Sequence, residues 1–404
     1  MIHYAWVIAF TGTLVTILAH GFGRMSYSVI LPSMKEGLAL NYTQLGSLAT
    51  GNFIGYLSLS MIGGFLAARF GIRRVVFISL LGIGISLFLT GLADSFIFAF
   101  LMRLITGAGN GGSFVPIMAL PAAWFAMNKR GLATGIVSGG IGTGLFLSGI
   151  TLPPMIAAFG REGWRYAWFL LGILVFLLAF LCYAFLRNHP REKGLSMFGG
   201  EEEQKAGGKD SLFSAFKVVV VEPELWKLGG VYFMFGFSYV IYLTFFVAYL
   251  TKEMGLQPVS AGRIFAVLGV FSIFCGVIYG WISDVLGRRW GSMLAYLTLA
   301  LSYLVFAFGK GSTGFYVSAV VFGLAAFSVP TIMAAASGDT VGGSLAPAGL
   351  GFITLFFGIG QALGPAIGGW IKDTTGTFTY AFVLSAAVSL LGAAGSLALR
   401  RRRA

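Results

Sequence analysis

Two arginines and one histidine stand inside stretches otherwise built from apolar residues. His20 and Arg24 lie in the run that begins at Tyr4, and Arg103 lies in the run that begins at Phe96. A guanidinium stays charged at any physiological pH, and its planar fork of donors matches a carboxylate. His20 and Arg24 are four residues apart, so on a helix they share a face. An imidazole is also the side chain that titrates near neutral pH. The chain has 14 acidic residues, and each falls at the end of an apolar run, between runs, or in one long polar stretch. Two guanidiniums around one cavity with no acid beside them make a positive site, for which a carboxylate is the natural ligand. Each residue also has a plainer reading. Arg24 can snorkel to an interface, Arg103 can be structural or serve coupling, and His20 can be a hydrogen-bonding core residue.

Other polar residues fall near these. Tyr27 is close to the His20/Arg24 face, and Arg103, Gly107, Asn110 and Phe114 make a polar-edged stripe. Tyr232, Phe235, Tyr239, Tyr242 and Phe246 follow a helical spacing that suits either packing or an amphipathic wall for a small organic molecule. Asn52, Tyr56, Tyr279 and Gln361 are further polar groups inside apolar runs.

The elements that must carry these side chains are membrane spans. Of 404 residues, 57% are hydrophobic and 10% charged, where soluble proteins carry about 25% charged residues. Mean hydropathy is +0.88. Twelve apolar runs are expected near 4–32, 44–67, 75–93, 96–125, 131–157, 165–186, 225–250, 261–283, 290–309, 313–336, 345–371 and 378–399. Each is long enough to cross a hydrocarbon core of ~30 Å as a helix, and lipid leaves backbone amides no other partner. Runs of this length without two-residue alternation exclude a barrel. An arginine at a helix centre costs ~2.5–3.5 kcal/mol on insertion scales, so Arg24 and Arg103 require a wet cavity or a partner. The net charge of +13 comes from loops and marks topology and anionic lipid rather than nucleic acid. With the amino terminus inside, Arg69, Arg73, Arg74, Lys129, Arg130, Arg187, Arg288, Arg289 and Arg400–Arg403 all fall on the cytoplasmic side, which puts both termini in the cytoplasm. Cys182 and Cys275 sit inside apolar runs and read as small core residues. The first apolar run is too long for a cleavable signal.

The stretch 188–224 is polar, carries Glu201-Glu202-Glu203 and Gly207-Gly208, and divides the chain into two six-span bundles, 1–187 and 225–404. It reads as a cytoplasmic linker. The bundles repeat. Gly64-Phe-Leu-Ala-Ala68-Arg69-Phe-Gly71-Ile-Arg73-Arg74 follows span 2, and Gly280-Trp-Ile-Ser-Asp284-Val-Leu-Gly287-Arg288-Arg289 follows span 8. Gly135 and Gly144 of span 5 recur at the same offset as Gly351 and Gly360 of span 11.

These two loops resemble the signature loop of the major facilitator superfamily, with Ala68 in place of the usual acid in the first copy. Arg103-Leu-Ile-Thr-Gly107-Ala-Gly109 resembles a second motif of that superfamily. Trp124 to Gly135, and Arg187 to Leu195, resemble its monocarboxylate porter and oxalate–formate antiporter branch. The resemblance implies an all-α fold of two pseudo-symmetric six-helix bundles around a central cavity lined by spans 1, 4, 7 and 10. It also implies a cytoplasmic latch, with Asp284 expected to meet the start of span 5 near Arg130, and with Arg69 and Arg288 as further gating residues. One departure concerns the substrate. The branch often carries an arginine in span 8, where this chain reads Cys275-Gly276-Val277-Ile278-Tyr279-Gly280. Gly351, Gly360, Gly364-Pro365 and Gly368-Gly369 spell a drug-antiporter pattern, displaced to span 11, and read as tight packing with a kink.

The expected function is secondary transport of a small organic anion, a monocarboxylate, by alternating access with proton symport. Arg24, Tyr27, Arg103, Asn110, Tyr239, Tyr242, Tyr279 and Gln361 would bind substrate, and His20 with Arg103 would couple the proton. The alternative is a proton-driven exporter of hydrophobic drugs or metabolites, and a third reading is a membrane sensor or scaffold. No phosphate-binding glycine loop points to an ATP-driven pump, and no nucleophile or metal constellation points to an enzyme or cofactor. The expected partners are substrate, proton and lipid, around a monomer in a bacterial inner membrane.

Overall fold

The computed structural model describes residues 3–200, 219–309, 311–342 and 345–399. The three-glutamate run and the glycine pair of the central stretch, and Arg400–Arg403, lie outside the described residues. Helices account for every expected apolar run, and most of the helices extend past the expected ends by several residues.

Span 1 is the least regular. It runs as α1 (Tyr4–Val15), a π-helical segment (Thr16–Phe22), the single turn α2 (Gly23–Met25) and α3 (Tyr27–Gly37). Spans 2 to 6 are α4 (Tyr42–Phe70), α5 (Ile72–Gly91), α6 (Phe96–Trp124), α7 (Met127–Ala158) and α8 (Gly163–Phe185). Span 7 is α9 (Pro223–Lys252). Span 8 is two helices, α10 (Pro258–Ser272) and α11 (Cys275–Leu286), bent by 42°. Span 9 is α12 (Arg288–Phe308), and span 10 breaks into α13 (Gly311–Ala325) and α14 (Ser328–Val341). Spans 11 and 12 are α15 (Ala346–Thr375) and α16 (Thr379–Ser396). The chain is an all-α membrane protein of twelve spans.

The two signature loops turn on the same device. Gly71 and Gly287 precede α5 and α12 with φ of 85° and 89°, a region open to glycine and strained for other residues. A loop of one residue between two long helices needs that conformation, which explains why both copies of the motif place glycine there.

The described residues form two compact units. The first holds the chain up to Leu40, resumes at Gly51 and also takes Leu250–Gly269; the second holds Asn41–Thr50, the stretch ending at Tyr249, and the chain from Val270 onward. The first turns of α4 therefore belong with the second unit, and α10 up to Gly269 belongs with the first. In the first unit α5 packs on α6 and α8, and α7 packs along span 1. In the second unit α12 packs on α16 and α13. Small residues make these approaches possible in a medium without a hydrophobic driving force.

Candidate functional site

The site in the first unit begins with how closely α4 lies on α6. A Cβ built on Gly107 would stand 1.9 Å from the Asn52 carbonyl oxygen, one on Gly55 2.0 Å from the Leu104 oxygen, and one on Gly111 2.3 Å from the Tyr56 oxygen. These glycines bring the two backbones into contact, and beside them Phe53, Tyr56 and Ser113 meet side chains of span 1. Asn52 donates through Nδ2 to the Arg103 carbonyl oxygen at 3.2 Å, which ties the two helices at the depth of both arginines.

Arg24 is buried, with its guanidinium carbon 4.7 Å from the Phe53 ring centre and 4.3 Å from that of Tyr56. Arg103 is 1% exposed and lies against Tyr27 at 4.9 Å and Trp168 at 5.2 Å. Tyr27 and Trp168 are themselves stacked at 6.4 Å. Each guanidinium is therefore held by two aromatic rings, and no carboxylate of the described residues pairs with Arg103. The rings of a desolvated cation–π contact contribute up to ~2 kcal/mol, and around Arg103 they leave part of the guanidinium edge without a protein partner. Arg103 Nε and Nη1 have no protein partner, and neither does either amide atom of Asn110. Buried polar atoms in this state cost several kcal/mol each in a bilayer, unless a ligand or water meets them.

His20 closes the group. Its Nε2 is 3.3 Å from Ser113 Oγ, and its ring lies 4.8 Å from Phe114. The Ser113 hydroxyl donates to the Asn110 carbonyl oxygen at 3.3 Å, so in that arrangement the imidazole donates through Nε2. His20, Arg24, Tyr27, Arg103 and Asn110 thus lie together in one unit. The sequence had not pointed to Phe53, Ser113 or Trp168, which complete it.

In the second unit, Tyr239 and Gln361 are hydrogen-bonded through Nε2 and the phenol oxygen. Tyr239 stacks on Phe235 at 4.6 Å with ring planes 5° apart, and on Phe357 at 6.0 Å. Tyr232 stacks on Phe357 at 4.4 Å. The amide oxygen of Gln361 has no protein partner. The other two expected residues have different neighbours. Tyr242 is fully buried among Phe246, Tyr303, Phe306, Phe322 and Phe382, and shares a 2.7 Å hydrogen bond with Ser318. Tyr279 bonds Thr298 on α12. The five-residue aromatic spacing on α9 therefore divides: Tyr232, Phe235 and Tyr239 stack with α15, while Tyr242 and Phe246 fill the packing against α12, α13 and α16.

The expected gating residues sit at helix ends. Asp284 pairs with Arg288 at 2.6 Å, and Arg288 also reaches Asp339 at 2.9 Å and Ser283 at 2.9 Å. In the first unit, Arg130 donates to the Ala122 carbonyl oxygen at 3.3 Å, and Arg69 lies over Phe70 at 5.4 Å. Among the described residues no group of three or more His, Cys, Asp and Glu could hold a metal ion.

Known proteins resemble the chain along most or nearly all of its length. The family model of the Major Facilitator Superfamily matches residues 13–279 and 231–404. The chain is 27% identical over 399 residues to a protein of Cupriavidus necator described as a probable sulfoacetate transporter, SauU, covering 93% of this chain and 89% of that one. It is 25% identical over 337 residues to monocarboxylate transporter 13 of Rattus norvegicus, covering 82% and 74%. Its fold matches a bacterial homologue of the human lysosomal transporter Spinster with a TM-score of 0.78 at 19% identity, over 99% of both chains. The chain is an integral membrane protein of the transporter class, not an enzyme, and belongs to the Major Facilitator Superfamily.

Proposed function

We propose that this protein is a secondary active transporter of a small organic anion, most simply a monocarboxylate, moved by alternating access together with a proton. The observation that carries the reading is the pair Arg24 and Arg103, both buried and each held against aromatic rings. Buried cations are costly in a bilayer, and a bound carboxylate would offset part of that cost. The names of the relatives point the same way, since one is described as a sulfoacetate transporter and another as a monocarboxylate transporter.

Arg24 would hold the carboxylate, with Arg103 and Asn110 sharing or tuning the contact. Tyr239 and Gln361 would contribute from the other six-span bundle, and His20 would carry the coupled proton. Moving a lone anion into a negative cell costs ~2.3 kcal/mol per 100 mV, and one proton per carboxylate makes the step electroneutral. The division into bundles 1–187 and 225–404, with Asp284 and Arg130 latching the cytoplasmic side in one state, is part of the same proposal.

The test is uptake of labelled lactate and pyruvate into proteoliposomes, with and without an inward proton gradient. Gradient-driven uptake that a protonophore abolishes is the expected result. Absence of uptake by folded protein, with export of hydrophobic compounds in its place, would transfer the assignment to the drug-exporter alternative.

A further inference from the structure

Span 1 does not reach its arginine as a regular helix. From Thr16 to Phe22 its hydrogen bonds run five residues back, and the N–H of Gly23 closes the segment on the Leu18 carbonyl oxygen. A π-helical turn is uncommon and is found mostly at functional sites. His20 lies inside the segment and Arg24 two residues beyond it. The segment carries extra chain relative to an α-helix. Restoring the regular winding would turn everything after it by about one residue, or ~100° at 3.6 residues per turn. That rotation would take the Arg24 guanidinium off the Phe53 and Tyr56 rings.

What holds the segment is α7. A Cβ on Gly144 would lie 2.5 Å from Gly21 Cα, from the Ile17 carbonyl oxygen and from Phe22 N. One on Gly140 would lie 2.2 Å from Thr16 Oγ1, and one on Gly21 2.5 Å from the Ile141 carbonyl oxygen. Thr16 Oγ1 donates to the Val137 carbonyl oxygen, a bond that crosses from the first residue of the segment to α7. Val137, Gly140, Ile141 and Gly144 therefore clasp the widened backbone along two turns. Gly131 and Gly135, on the same helix, meet nothing within 4 Å.

We propose that Gly144 and Thr16 are positioning residues: they lock the π-helical register of span 1 and so place Arg24 over Phe53 and Tyr56, where it meets the anion. The inference rests on Arg24 as the anion's holder. Its test has two readouts. The first needs no substrate. Cysteines are introduced at the facing pair, Arg24→Cys with Tyr56→Cys, and joined by a short bifunctional reagent. Cross-linking is expected in the otherwise unaltered chain and in Gly135→Ala, and is expected to fall several-fold when Gly144→Ala or Thr16→Val is added. Unchanged yield in both would overturn the proposal. If Gly144→Ala does not fold, Thr16→Val, which keeps side-chain shape, decides alone.

The second readout is lactate uptake by the single variants with Arg24 intact. The KM is expected to rise about tenfold in Gly144→Ala and Thr16→Val, within the range a displacement of ~1 Å produces, while Vmax stays within about twofold and Gly135→Ala matches the wild type. An equal loss of Vmax without a KM change would overturn the positioning role. If Arg24→Ala itself keeps the wild-type KM, the reading of Arg24 as anion holder fails and this inference with it. If Arg24→Ala is impaired and both Gly144→Ala and Thr16→Val are normal, only this inference fails.

Discussion

Asp373, at the end of α15, caps the amino terminus of α4 through Thr43. Its carboxylate accepts from the Thr43 amide at 2.7 Å and the Thr43 hydroxyl at 2.7 Å, and from the Tyr42 amide at 3.1 Å. The first amides of a helix have no partner within it, and an acid there also meets the positive end of the dipole. Gly46 and Gly369 allow the approach, since a Cβ on either would lie about 2 Å from backbone oxygens across it. All of these residues belong to the second unit, although α4 continues into the first.

Replacing that acid by Asp373→Ala is therefore expected to destabilise the folded protein by about 0.5–2 kcal/mol, the usual cost of a lost cap. Thermal unfolding in detergent measures it. A melting temperature equal to that of the wild type would mean that the contact contributes nothing to the folded state.

The ring contacts of Arg24 lead to a second expectation. Tyr56→Phe keeps the aromatic face and is expected to transport with a KM within about twofold of the wild type. Tyr56→Leu removes a contact of about 0.5–2 kcal/mol and is expected to raise the KM between twofold and about thirtyfold. Equal KM values for the two variants would show that the ring face is immaterial.

Arg24 and Arg103 should not behave as independent sites. If they share one carboxylate, the double variant Arg24→Gln/Arg103→Gln will lose less binding than the sum of the single variants, with a coupling of about 0.5–3 kcal/mol. A double-mutant cycle on the KM for pyruvate reads this. Additivity would assign Arg103 to packing with Tyr27 and Trp168.

His20 is expected to carry the coupled proton. His20→Ala should lose the stimulation by an inward proton gradient while still exchanging labelled for unlabelled lactate across the membrane. Full gradient-driven uptake by His20→Ala would remove His20 from the coupling and leave the proton on the substrate carboxyl.

Much of this architecture is legible in the residues themselves. The spans are, because a bilayer imposes length and apolarity on each. Arg24, His20 and Arg103 are, because a charge inside an apolar run is costly wherever it points. Their ring partners are not. Aromatic residues are common in the spans, and which of them face Arg24 depends on how far α4 can slide onto α6. The spacing of Gly51 and Gly55 against Gly107 and Gly111 carries that signal, as small residues four apart on two helices, and it would have singled out Phe53 beside Tyr56. The place of Tyr242 is not legible either, since a helical aromatic spacing is the same whether the ring lines a cavity or packs against α12 and α16. Nor is the π-helical segment, whose extra residue is stabilised by α7 rather than by its own sequence.

The central claim is that Arg24 holds the carboxylate of the transported anion. The most direct measurement is the initial rate of labelled lactate uptake into proteoliposomes under an inward proton gradient, for the wild type and Arg24→Ala reconstituted at equal density. The account predicts saturable uptake by the wild type and its loss, by tenfold or more, in a variant that remains monodisperse. Wild-type uptake by Arg24→Ala would contradict it.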